Sequence, residues 1–157
     1  MMVYEKRYRW GKKHHGVKAQ IAGEEIDRIQ QRDGVVTKET LLDESRPEEA
    51  PLHPAFEWDD TKAAEKYRLT QAKSIINDIV VEVIRTGEDE PKKVPAFVNV
   101  VKGLQNNAKY LSVDVAMSDE DHRKAVLENA KSELNAFKRK YSNLTELAGV
   151  FAEIDKL

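Results

Sequence analysis

The chain has no cysteine among its 157 residues, which excludes disulfides, thiol nucleophiles and thiolate metal ligands. It has no apolar run near the about 20 residues that span a bilayer, and its basic start has no hydrophobic signal core behind it. Glycine is scarce, at seven residues, and no glycine-rich phosphate loop or serine with a neighbouring base occurs. These absences lead us to expect a cytoplasmic protein that is not an enzyme and uses no cofactor.

What is present is charge. With 40% hydrophobic and 34% charged residues, the composition fits one highly charged globular domain rather than a disordered chain. The net charge of −2 conceals an asymmetry. Residues 1–18 carry Lys6, Arg7, Arg9, Lys12, Lys13 and Lys18 against Glu5, a net +5, whereas residues 19–61 sum to −8. A basic segment beside an acidic one suits either a nucleic-acid arm or an arm folded back on its own neighbour.

Periodicity divides the rest. Val17, Ile21, Ala22, Ile26 and Ile29 recur at helical spacing and Gly34 supplies a stop. Thr37 offers an N-cap for a short helix bearing Leu41 and Leu42, which must end before Pro47. Asp59 or Asp60 is expected to cap a longer helix running to about Asn77. The period then becomes two, predicting strands over 79–85, 94–101 and 110–117 as an antiparallel meander. Ser118, with Asp121 three residues on, is expected to start the last helix. Its stripe of Leu127, Ala130, Leu134, Phe137, Tyr141, Leu144, Ala148 and Phe151 alternates spacings of three and four.

The fold class is therefore α+β: N-terminal helices, a small three-stranded antiparallel sheet with the N-terminal segment as a candidate edge strand, and a long C-terminal helix packed on the sheet. Residues 1–18 are assigned to a basic aromatic arm and 19–157 to one domain, with a helical half over 19–77 and the sheet and last helix over 78–157. The stripe suits either that sheet or a coiled-coil dimer. Its aromatic positions favour the sheet, so a monomer is expected.

Chemical motifs are sparse. His14 and His15 are adjacent and lack ligand-spaced carboxylates, so no metal site is expected. Asp78 with Glu90-Pro91-Lys92 mimics a nuclease pattern, but its second half sits in a turn beside a proline. Glu57, Asp59 and Asp60 are better explained by capping than by a cation. Helix-turn-helix geometry is excluded by the proline-rich connection between the second and third helices.

Three blocks, "YRWGKKHHGVKAQIAGEEIDRI", "RPEEAPLHPAFEWDDTKAAEKYRLTQA" and "AFKRKYSNLTELAGVFAEIDKL", cover much of the chain. They resemble a set of small proteins of tailed phages and prophages. The resemblance implies a phage origin and little chemistry, and its matched positions include Phe56, Trp58, Asp59, Asp60, Tyr67, Arg68 and Gln71. The compartment then becomes the host cytoplasm, with the virion as an alternative.

Two functions follow. One is a phage accessory protein of replication, recombination or gene control that binds DNA or RNA through Lys6, Arg7, Arg9, Trp10, Lys12, Lys13, His14, His15 and Lys18. The other is a protein–protein module, as a virion or assembly component or an inhibitor of a host factor. Within the arm, Tyr4–Trp10 is expected to be partly ordered and Gly11–Gly16 to form the exposed contact.

Overall fold

The computed structural model describes residues 6–62, 64–83, 87, 90–103 and 107–157. Tyr4, Glu5, Ala63 and the end of the strand predicted over 79–85 lie outside them. The basic segment begins with strand β1 (Arg7–Trp10), followed by helices α1 (Ala19–Asp33), α2 (Lys38–Ser45) and α3 (Glu65–Asp78). Strands β2 (Ile79–Val83), β3 (Lys92–Pro95), β4 (Phe97–Asn99) and β5 (Tyr110–Ser112) come next, then helices α4 (Val113–Ser118), α5 (Glu120–Lys140) and α6 (Ala148–Ile154).

The architecture is α+β, with an antiparallel sheet in the order β1-β2-β3 and a separate β4-β5 pair. β1 adds to the free side of β2, and the strand expected over 94–101 divides at Ala96, so that its first part closes this sheet and its second part carries the last strand of the expected meander into the second sheet. Alternation along β1 explains its pairing. Tyr8 and Trp10 lie opposite Val81 and Ile79 towards the core, while Arg7, Glu82 and Lys93 form an outward row of alternating charge.

Helices α1 to α3 supply the core. Ala22, Ile26 and Ile29 share one face of α1 and are fully buried together with Leu41, Leu42, Ile75, Ile76 and Ile79. Ile21, expected on that face, is exposed. Tyr8 stacks parallel to Phe97 and lies so close to α1 that a Cβ at Gly23 would come within 2.1 Å of its ring. Gln30 donates to Ser112 Oγ over 2.9 Å and accepts from Ser112 N, tying α1 to β5.

The helix ends follow local chemistry. Thr37 caps α2 in a reciprocal box with Thr40, and α1 stops at Gly34. Two expected caps are corrected. α3 begins after Ala64, because Asp59 accepts from Thr61 N and Oγ1 and Asp60 pairs with Arg68. α5 is capped by Asp119, which accepts from His122 N, rather than by Ser118.

Residues 113–117, expected to extend a strand, belong to α4. Their alternation misled because Val115 is exposed, whereas Ala116, three residues after Val113, is buried. The C-terminal stripe is the other correction. Helices α1 to α3 occupy the side of the sheet that the last helix was expected to cover, and α5 has no buried residue. Asn129 ties it to the end of β4 and the residues that follow, donating to Val101 O over 3.1 Å and more weakly to Asn99 O. Phe137, Tyr141 and Phe151 cluster between α5 and α6, while Leu127 remains 53% exposed and Phe137 41%.

Candidate functional site

The loop Gly11–Gly16 leaves β1 and lies against the C-terminal end of α3. Asp78, the last residue of that helix, holds it there. A carboxylate at a helix C-terminus opposes the macrodipole, so its presence needs compensation, and the loop supplies it. His15 Nε2 donates to Asp78 Oδ2 over 2.8 Å and Lys13 N over 3.3 Å, while Gly11 N donates to the Asp78 carbonyl over 2.8 Å. Burial by itself raises the Asp78 carboxyl, but the bonds from His15 and from the Lys13 and Lys12 N–H groups outweigh it, and the net shift is downward. The loop also needs its two glycines. A Cβ at Gly11 would lie 2.7 Å from the Asp78 carbonyl, and Gly16 adopts a φ of 88°.

The nine basic and aromatic positions expected to contact nucleic acid thus divide into two groups. Lys6 lies 3.2 Å from Asp114 and 3.7 Å from Asp27, so the segment does fold back in part on the acidic region. Asp114 is raised by burial and lowered more strongly by Lys6 and Ser112, for a net downward shift. Arg9 Nε lies 3.8 Å from Glu82, and Arg7 faces Glu82 across the sheet. Trp10 donates to Val17 O over 2.9 Å with its ring against His15, and the His15 side chain is only 5% exposed. These five have partners within the fold, although Arg7 and Arg9 stay exposed on the outer face of β1. Lys12, Lys13, His14 and Lys18 remain exposed, and the three lysines form no ion pair among the described residues.

Between the loop and α3 run two adjoining cavities. One, of about 300 Å³, is lined by Lys13, His14, His15, Tyr67, Gln71 and Ser74 among others, and a second of about 190 Å³ by Lys12, Lys13, Ser74, Asn77 and Asp78. The face of α3 at this groove was missed in the sequence. Thr70, Ser74 and Asn77 line it from α3, with Lys66 and Lys73 beside them at helical spacing on the same polar side, and that recurrence was the available signal. Lys66 and Lys73 likewise have no ion pair among the described residues.

The "FEWDD" segment forms the frame of the same groove. Phe56 is buried, Trp58 stacks on His53 with centroids 4.7 Å apart, and Trp58 Nε1 donates to His53 O over 2.7 Å. Arg68, itself buried, lies over the Trp58 ring and donates to Glu57 O over 2.9 Å. Glu57 N in turn donates to Gln71 Oε1 over 3.2 Å, so the segment orients a groove side chain.

The nuclease-like pattern does not assemble into a shared site: Asp78 is engaged by His15, and Glu90 lies exposed before β3. Among the described residues no group of three or more His, Asp or Glu is placed to hold a metal ion, and no helix is long and apolar enough to cross a membrane. No known protein family matches this chain, and no curated protein or solved structure matches it either.

Proposed function

We propose that this is a non-enzymatic nucleic-acid-binding protein whose contact surface is the groove between the Gly11–Gly16 loop and α3. The observation that carries this reading is that Lys12 and Lys13 line the groove, with Lys66 and Lys73 beside it on α3, four lysines without an ion pair among the described residues. Phosphates satisfy such a set by displacing counterions, and binding of this kind is sequence-tolerant and weakened by salt. Together with the phage resemblance, this supports an accessory role in replication, recombination or gene control in the host cytoplasm. A mobility shift of random-sequence DNA and RNA at about 50 mM salt tests it: a retarded band that disappears at higher salt is expected, and no band at low salt overturns it.

A second reading, a protein–protein module, is favoured by one separate feature. Leu127, Leu134, Phe137 and Leu144 of the three-four stripe are exposed, and apolar side chains recurring along one face mark docking surfaces.

A further inference from the structure

The groove has one compartment suited to a single unpaired nucleotide, and its hydrogen-bonding capacity can be derived atom by atom. Gln71 Oε1 accepts from Glu57 N over 3.2 Å. A backbone N–H can only donate, so the atom facing it is the amide oxygen, and the Gln71 NH₂ is the end left for a ligand. His14 Nδ1 accepts from Gly16 N over 3.0 Å, so Nε2 carries the ring proton and is likewise a donor. Thr70 Oγ1 donates to Lys66 O over 3.1 Å, which leaves its lone pairs available. Lys13 adds a cationic donor, and Tyr67, 51% exposed, adds an uncovered aromatic ring. The 300 Å³ of this compartment sits at the lower end of the roughly 300–1,000 Å³ that hold small ligands.

We infer that this compartment takes one unpaired base of a single-stranded nucleic acid, stacked on Tyr67 with a carbonyl edge towards Gln71 and His14 and its phosphate at Lys13. The inference rests on the nucleic-acid reading above and deepens it. Bases within a duplex are stacked and paired, so their faces and pairing edges are out of reach. Thymine and uracil present two carbonyl acceptors and fit a lining dominated by donors. The base face meets the tyrosine ring in the manner that gives single-strand binders their tolerance of sequence.

The test uses the full chain and labelled oligo(dT) of about 15 nucleotides, with an oligo(dA)·oligo(dT) duplex of equal length, both followed by anisotropy at fixed low salt. Single strand is expected to bind about tenfold more tightly than duplex. Tyr67→Ala should remove most of that preference. Gln71→Glu keeps an oxygen for the Glu57 N–H but replaces the outward donor with an acceptor and a negative charge, so it should weaken single-strand binding while unfolding at the same denaturant concentration as the parent. Equal affinity for both forms, or a preference unchanged in both variants, overturns the base compartment and leaves phosphate binding intact. Absence of binding to either form overturns both proposals.

Discussion

His15 donates to Asp78 Oδ2 over 2.8 Å, joining the loop after the first strand to the end of a helix 63 residues further along the chain. Both side chains are nearly sealed, at 5% and 8% exposure. This contact turns what reads as a mobile basic arm into a fixed wall of a groove. Asp78→Asn should lower stability by about 1–3 kcal/mol, because His15 loses a charged acceptor inside the protein. Amide exchange over residues 11–16 should rise in the same variant, and unaltered exchange would show that the loop is held by something else.

Acid should release the same contact. The Asp78 carboxyl is held below its ordinary value of 3.8, so the folded state binds fewer protons than the unfolded one near that pH. The stabilisation is present above about pH 4 and lost as the pH falls through the depressed folded value. Denaturant titrations at a series of acidic pH values should give a smaller pH dependence for Asp78→Asn than for the parent chain in this window.

Gly23→Ala should destabilise, against the general rule. In a helix interior the change from glycine to alanine ordinarily gains about 1 kcal/mol. Here the added methyl would lie 2.1 Å from the Tyr8 ring, and such overpacking costs roughly 1–3 kcal/mol. Thermal unfolding decides the sign.

Leu134→Ala should cost less than about 2 kcal/mol, below the range of a fully buried leucine, because Leu134 is 39% exposed. If sedimentation finds the parent chain dimeric and this variant monomeric but folded, the exposed stripe is an interface between copies.

How much of this was legible in the sequence depended on how local the cause was. The Thr37 cap, the Gly34 stop and the core face Ala22, Ile26 and Ile29 follow from neighbours along the chain, and they are found. The edge role of Arg7–Trp10 was visible in its alternation. The partition of strands into two sheets was not, because the run 94–101 reads as one continuous strand although it bends at Ala96. Likewise the stripe on α5 predicts an apolar face without saying that α1 to α3 already cover the sheet. The groove was half legible. Lys12, Lys13 and His14 stood out by composition, whereas their counterpart on α3 emerges only once Asp78 brings the loop to that helix.

Lys12→Ala combined with Lys13→Ala should leave stability unchanged, since both side chains are exposed. It should also flatten the dependence of log affinity on log salt by about 0.9 for each phosphate contact removed from duplex DNA. A parallel shift of the line, with the slope intact, would place the phosphate contacts elsewhere.

Amide chemical-shift mapping during titration with a short oligonucleotide locates the binding surface. Perturbations are expected to concentrate in residues 11–16 and along the polar face of α3 from Lys66 to Asn77, with α5 and α6 silent. Perturbations confined to the α5–α6 arm, or none at a concentration that saturates a nucleic-acid binder, would contradict that location.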